Sequence, residues 1–222
     1  MIGNRLKKLL CLLALVAASF TSGAGSFEDF FRAVRADNAS GVASLLNRGF
    51  DPNTRDENGQ TGLLLALREP SPRVIDVLLS SKKIDVDARN ANDESPLMLA
   101  SLRGQEEVVR KLIARDAAVN KPGWTPLHYA ATNGHIAIMK LLLENHAFID
   151  STSPNETTPL MMAAMYGSIQ GVELLLAEGA DPMQKNQQGM TAADFAKRGQ
   201  RPDAMEMLGA AMKAKNPSGG TW

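Results

Sequence analysis

The sequence is poor in the residues that usually carry chemistry. Cysteine occurs once and histidine three times in 222 residues, and aromatic residues make up 5% of the chain. A single thiol, Cys11, excludes an internal disulfide and any zinc site built from several cysteines. The folded chain must therefore be stabilised by packing and hydrogen bonds.

The chain also lacks an excess of either charge. Lysine and arginine together number 24, and aspartate and glutamate together also number 24. No net field directs such a chain to nucleic acid or to a charged membrane surface. We therefore expect no nucleic-acid partner.

Catalytic motifs are missing as well. The sequence contains no G-x-S-x-G elbow, no P-loop and no G-x-G-x-x-G turn. Neither cysteine nor clustered carboxylates accompany His128, His135 or His146 at the spacing of metal ligands. We predict no catalytic residue, no metal, no cofactor and no small-molecule substrate.

The first 24 residues have the pattern of an export signal. Arg5, Lys7 and Lys8 precede an apolar run over 9–18, and small residues follow it. This order predicts a Sec-type signal peptide over 1–24, cleaved after Ala24 or, alternatively, near Ser19. An uncleaved membrane anchor is the other interpretation, but the run is far shorter than the ~20 residues that span a bilayer.

A short motif recurs along the rest of the chain. Its copies begin at Thr61, Ser95, Thr125, Thr158 and Thr191, with spacings of 34, 30, 33 and 33 residues. Proline and leucine follow the hydroxyl residue in three copies, which predicts a capped helix with proline in its first turn. A second amphipathic segment follows each of the first four copies, as in Ile138-Met139-Lys140-Leu141-Leu142.

This pattern resembles the ankyrin-repeat family over residues 27–214, because a period near 33 with T-P-L-H-x-A is its signature. The resemblance implies an all-α fold, an ankyrin-repeat α-solenoid of about six helix-turn-helix repeats with short β-hairpin loops. The repeats are placed at about 27–58, 59–92, 93–122, 123–155, 156–188 and 189–214, before a disordered tail at 215–222. With the signal peptide, the chain resembles exported bacterial ankyrin proteins, so we expect it to be periplasmic or secreted.

Several positions depart from the regular repeat. The loop from Val119 to Thr125 is three residues shorter than its counterparts, which predicts a notch in the row of loops. His146 replaces the glycine that closes the second helix in other repeats, at some cost in strain. Phe27 and Phe30 are expected to close the first end of the core.

The resemblance also implies where a partner would bind. In this family, contacts come from the loop tips and the exposed end of each first helix. The positions of this chain that match, and that we predict to contact a protein partner on the concave face, are Trp124, Tyr166, Met165, Leu102, Arg103, Asn133 and Arg68. Alternatively, Trp124 folds over the shortened loop and Met165 packs between repeats.

Other residues support a structural reading. His128 and His135 fall where the family has histidine, and there the imidazole supports loops by hydrogen bonding. The methionines of the repeats, among them Met98, Met139 and Met161, are expected to fill the core, although a methionine surface that binds metal or buffers oxidation is an alternative.

These observations predict a non-enzymatic protein-interaction module or scaffold of the bacterial periplasm. One alternative is a stress-protective accessory protein of a periplasmic enzyme. Another is a secreted effector that acts on host proteins. The membrane would be involved only through an uncleaved signal segment.

Overall fold

The computed structural model describes residues 25–69 and 71–216. The predicted signal peptide at 1–24 and residues 217–222 of the predicted tail lie outside the described residues. The chain forms two compact units, Met1–Ala91 and Asn92–Trp222. Each unit is described by itself below.

Six pairs of short helices make up the described chain, as the repeat pattern predicts. In the first unit, α1 covers 25–35 and is followed by α2 (Ala39–Asn47), α3 (Gly62–Arg68) and α4 (Pro72–Ser80). The second unit contains α5 (Pro96–Leu102), α6 (Glu106–Ile113), α7 (Pro126–Thr132), α8 (Ile136–Glu144), α9 (Pro159–Tyr166), α10 (Ile169–Ala177), α11 (Ala192–Arg198) and α12 (Pro202–Lys215). The predicted all-α class is confirmed. The predicted boundary at 214 falls within the last turn of α12, which ends at Lys215.

The loops that precede each first helix, here called finger loops, are tight turns rather than β-ladders. The last five residues of such a loop reverse the chain, for example through bonds from Ser153 N to Thr157 O (3.0 Å) and from Glu156 N to Ser153 O (2.8 Å). Within the described part of the chain, β-structure is limited to one isolated bridge, between Arg55 and Thr61. The hairpin loops expected from the sequence are therefore present as turns without strands.

In each first helix of the second unit, the backbone N–H of the N-cap residue donates to the side chain three residues later. The backbone N–H of Ser95 and that of Thr158 each donate to the thioether sulfur of the methionine three residues later, at 3.4 Å. The corresponding acceptors are His128 Nδ1 for Thr125 (3.2 Å) and Asp194 Oδ2 for Thr191 (2.8 Å). Three kinds of side chain at the third helical position, methionine, histidine and aspartate, thus satisfy the equivalent N–H group in the four helices.

The core of the first unit is aromatic at one end. Phe30 is fully buried and stacks on Phe50 with ring centroids 4.6 Å apart. Phe27 is half-buried and meets Phe31 edge-on at 5.0 Å. An ideal Cβ at Gly62 would lie 2.7 Å from Phe30 Cζ, so the ring explains why this copy of the motif lacks the proline found in three others.

The core of the second unit is mainly aliphatic, and its first helices approach closely. Ala130, Ala131, Ala163 and Ala164 are fully buried between neighbouring first helices, as the small side chains predict. An ideal Cβ at Gly167 would lie only 2.2 Å from the carbonyl oxygen of Ala131. Glycine is required there for close approach, since its φ of −83° is open to any residue.

Four of the six second helices, α2, α6, α8 and α10, are followed by a residue in the left-handed conformation that the sequence indicates. His146 has φ 64°, which confirms the predicted strain at that position. Asp116 occupies the equivalent position one repeat earlier with φ 61°. Glycine occupies this position after α2 (Gly49) and after α10 (Gly179), where a left-handed residue costs least.

Candidate functional site

An apolar groove lies on the first-helix side of the second unit. It has a volume of about 230 Å³ and is lined by residues of three consecutive first helices and one finger loop. The lining residues are Leu102, Trp124, Tyr129, Thr132 and Met162. This composition, aromatic and aliphatic with few hydroxyls, is typical of the centre of a protein interface.

Helical spacing brings these side chains to one surface. Tyr129 and Thr132 are three residues apart on α7, so they share a face, while Leu127 and Ala131 point to the core. The Thr132 hydroxyl donates to His128 O at 2.8 Å, one turn earlier on the same helix. The groove therefore follows from the same motif that builds the core.

Trp124 forms one wall of the groove. Its indole is half-buried and meets the ring of His128 edge-on, with centroids 5.2 Å apart and an interplanar angle of 73°. Its position before the N-cap Thr125 places it at the base of the shortened finger loop. Trp124 thus packs beside the loop and also lines the groove, while its contact with a partner stays a prediction.

His128 is a structural residue beneath this wall. It is fully buried, accepts a hydrogen bond from Thr125 N at 3.2 Å and lies 2.9 Å from Thr157 O through Nε2. The acceptor role of Nδ1 fixes the neutral tautomer with hydrogen on Nε2, which donates to the next finger loop. Burial lowers the pKa of His128 to about 4, against the opposing effect of the Thr157 carbonyl and with a smaller contribution from Lys121.

A second histidine supports the opposite end of the groove. His135 Nε2 lies 3.1 Å from Leu102 O, and Asn133 Nδ2 donates to the same carbonyl at 2.8 Å. These two contacts tie the end of α5 to the turn after α7. The predicted supporting role of both family histidines is therefore seen directly.

The seven predicted contact residues are distributed unevenly. Tyr166 is 57% exposed, and Arg103 and Asn133 are also exposed. Leu102, Trp124 and Met165 are half-buried, so they are less exposed to solvent than the sequence predicts. Arg68 is half-buried at the end of α3 and belongs to the first unit.

Sequence reasoning missed Tyr129 and Met162 as groove residues. Both occupy the fifth position of the motif, three residues before Thr132 and Met165. That i, i+3 relation puts them one turn along the same helix face, and it was available from the sequence. Glu94 lies beside this helix face, because its carboxylate accepts a hydrogen bond from the Tyr129 hydroxyl at 3.2 Å.

The methionines divide between core and surface. Met98, Met139 and Met161 are essentially fully buried, which confirms core filling for these three. Met162 lines the groove and Met205 is 39% exposed. The repeat methionines therefore do not form one common surface.

A second, larger cavity lies in the first unit. Its volume is about 600 Å³, and charged residues line much of it, among them Arg32, Arg35, Asp56 and Glu57. Arg32 pairs with Asp29 at 3.1 Å, and Arg35 lies 3.9 Å from Asp56. A ligand would have to compete with these pairs and with water, so the size of this cavity does not translate into affinity.

Residues 25–69 and 71–216 contain no group of three or more His, Cys, Asp or Glu side chains arranged to hold a metal ion. In the same ranges, no helix has the length and apolar character to cross a bilayer.

Comparison with known families gives one consistent result. The family model described as ankyrin repeats (3 copies) matches residues 30–122, 70–153, 103–186 and 146–216. The chain is 30% identical over 166 residues to human transient receptor potential cation channel subfamily A member 1, covering 69% of this chain and 15% of the channel. It is 36% identical over 145 residues to the mouse nuclear factor NF-kappa-B p105 subunit, covering 62% of this chain and 15% of that protein. The chain thus spans 15% of the length of these relatives.

Two solved bacterial structures are similar over most of the chain. One is a chain of the complex between the predatory endopeptidase Bd0816 from Bdellovibrio bacteriovorus and immunity protein Bd3460, with 28% identity and a TM-score of 0.71. The other is an ankyrin repeat domain from Acinetobacter baumannii AYE, with 25% identity and a TM-score of 0.71. Each comparison covers 82% of this chain and 97% of the other.

Proposed function

Because the chain belongs to the ankyrin-repeat family, we propose that it is a non-enzymatic protein-interaction module that acts after export to the bacterial periplasm. Its partner binds the face of the second unit that carries the groove, the concave side of the predicted solenoid. Ankyrin repeats are protein-interaction modules, and this general role carries over to the chain. The location, the binding face and the lack of catalysis are parts of the proposal.

The groove is the observation that supports the binding face. The groove combines the half-buried Trp124 with Tyr129 and Met162. Tyr166, four residues after Met162 on α9, is 57% exposed. Together these side chains offer apolar and aromatic area at low cost in side-chain entropy. Such residues dominate the binding energy of protein interfaces, and single truncations commonly cost about 2 kcal/mol or more. Asn133 and Arg103, both exposed, supply polar groups at the edge of the same face.

The sequence pattern of residues 1–24 supports export. A basic start, an apolar run of about ten residues and a small-residue exit are the three parts of a Sec signal. Removal of this segment would also remove Cys11, and the remaining chain would carry no thiol. A thiol-free chain is suited to an oxidising compartment.

A narrower candidate is that the partner is an enzyme that the chain restrains or protects. The solved complex of an endopeptidase with its immunity protein favours this candidate, because one of its chains matches 82% of this chain over 97% of its own length. Immunity by direct binding needs a preformed surface and no catalytic group, which is what the second unit offers.

Affinity capture with residues 25–222 as bait in periplasmic extract tests the proposal. We expect Trp124→Ala combined with Tyr166→Ala to weaken capture by about thirtyfold or more, equivalent to about 2 kcal/mol, while circular dichroism shows an unchanged helical fold. Phe148→Ala is the matched control, because Phe148 is an aromatic residue that is 67% exposed and does not line the groove.

Three results would contradict parts of the proposal. Equal capture by wild type and double mutant would show that the face is misplaced. Equal loss with Phe148→Ala would show that exposed aromatic residues act non-specifically. For the narrower candidate, a captured enzyme whose activity is unchanged by a stoichiometric amount of the chain would rule out restraint.

A further inference from the structure

The shortened finger loop is held by a buried lysine. Lys121 Nζ donates to Pro122 O at 2.9 Å and to Trp124 O at 3.2 Å, and it pairs with Asp93 Oδ2 at 2.5 Å. An ammonium group has three N–H donors, so these contacts use its full capacity. The Lys121 side chain is only 4% exposed, whereas that of Asp93 is 59% exposed.

Lys121 and Asp93 therefore contribute differently to the structure of the loop. A buried charge is tolerated only when its partners are in place, because its lost hydration must be replaced. Asp93 remains largely hydrated and can lose its partner at little cost. The geometry consequently places the structural role on Lys121.

Residues of the following loops also contact the shortened finger loop. Asn120 Nδ2 donates to His146 O at 2.7 Å, and its Oδ1 accepts from Phe148 N at 2.8 Å. Pro154 packs over Gly123, where an ideal Cβ would lie 3.7 Å from Cδ of the proline ring. Lys121 thus closes a loop that is fixed at both flanks.

We infer that Lys121 is a positioning residue that fixes Trp124 as a rigid wall of the groove before any partner arrives. The bond to Trp124 O anchors the backbone directly before the N-cap Thr125, and the indole is then held against His128. In this loop, three residues shorter than its counterparts, the ammonium group replaces part of the missing finger. The consequence for binding rests on the proposed function, but the effect on Trp124 does not.

Rigid placement matters because ordering a loop during binding lowers affinity. A partner that meets a fixed indole does not have to immobilise it, so less of the interaction energy is lost. The hydrogen bonds of Lys121 therefore raise the affinity without any contact between Lys121 and the partner.

Tryptophan fluorescence tests this inference without a partner. In a Trp222→Phe background of residues 25–222, Trp124 is the single tryptophan. We expect Lys121→Met to shift its emission to the red and to raise the acrylamide quenching constant about twofold, because the freed loop exposes the indole to water. Lys185→Met is the matched control, since Lys185 is an exposed lysine in a later finger loop, and it should change neither quantity.

Asp93→Asn serves as a second variant with an unchanged backbone. Asp93 has φ 60°, a conformation that asparagine tolerates better than alanine. Loss of the negative charge should move both fluorescence quantities in the same direction as Lys121→Met but by less. This variant also answers the question if circular dichroism shows that Lys121→Met does not fold.

The outcomes separate the inference from the proposed function. Unchanged emission and quenching in folded Lys121→Met, or in Asp93→Asn if the first variant does not fold, would overturn the inference whatever the binding result. If Trp124→Ala abolishes capture but folded Lys121→Met binds as wild type, positioning for binding is also overturned. A wild-type chain that captures nothing contradicts the proposed function and leaves the fluorescence result standing.

Discussion

The helix α3 of the first unit begins with Thr61-Gly62, whereas α5, α7 and α9 of the second unit begin with a hydroxyl residue and proline. In the first unit, the ring of Phe30 fills the space that a proline would need. The difference shows that the motif tolerates substitution where a neighbouring side chain compensates within the same unit.

The two units also differ in the surfaces that they offer. The cavity of the first unit, about 600 Å³, is lined by paired charges, while the groove of the second, about 230 Å³, is apolar and aromatic. Desolvating paired charges offsets much of what a ligand would gain, whereas covering aromatic area is favourable. The smaller site is therefore the better candidate for a protein partner.

The largest expected effect concerns close approach in the second unit. Gly167→Ala should lower the free energy of unfolding by about 4 kcal/mol, because the new methyl group would lie 2.2 Å from a backbone oxygen that cannot move independently. Urea denaturation measures the change. Gly209→Ala in α12 is the control, because no atom lies within 4 Å of its ideal Cβ, and it should stabilise by about 0.5–1 kcal/mol. Similar stabilities for the two variants would show that the helices can separate freely.

Much of the fold was available from the sequence, for a physical reason. The hydroxyl residue at each cap, the proline after it and the apolar spacing act within one repeat, so Thr158 and Pro159 indicate the start of α9 without knowledge of its neighbours. The strain at His146 was predictable in the same way, since its register fixes the left-handed conformation.

The groove was only partly predictable, because its walls depend on contacts between repeats. Leu102 and Trp124 were identified from their register, but they lie together only because α5 and α7 pack side by side. Lys121 gave no signal in the sequence, since its role depends on Asp93, which lies 28 positions earlier in the chain. The reason for Gly62 likewise required the position of Phe30.

The next largest effect is the pH dependence of stability that His128 causes, since it is the histidine among the N-cap acceptors. The pKa of folded His128 is about 4 against a normal value of 6.5, so protonation favours the unfolded chain. Its contribution to stability is complete above pH 6.5 and falls by about 3 kcal/mol as the pH drops to 4. Leu64 holds the equivalent place in α3 of the first unit and does not titrate.

His128→Met tests this account with a residue that the chain itself uses at Met98 and Met161. The variant should lose about 1–2 kcal/mol at pH 7, because Thr157 O loses its donor. It should also lose the stability change between pH 6.5 and 4, which urea titrations at several pH values would measure. A variant that retains the wild-type pH dependence would assign that dependence to other groups.

Giving both units the same residue should have opposite effects on their stability. Gly62→Pro should destabilise by about 2 kcal/mol, because the ring carbons would press on the fully buried Phe30, which is itself stacked on Phe50. Ala192→Pro, at the same motif position in α11, should instead stabilise by about 0.5 kcal/mol, because proline suits the first helical position and restricts the unfolded chain. The preceding residues, Thr61 at ψ 162° and Thr191 at ψ 174°, are extended in both cases, so local backbone geometry cannot account for a difference. Thermal unfolding with the same sign of change in both variants would show that Phe30 does not determine the residue at 62.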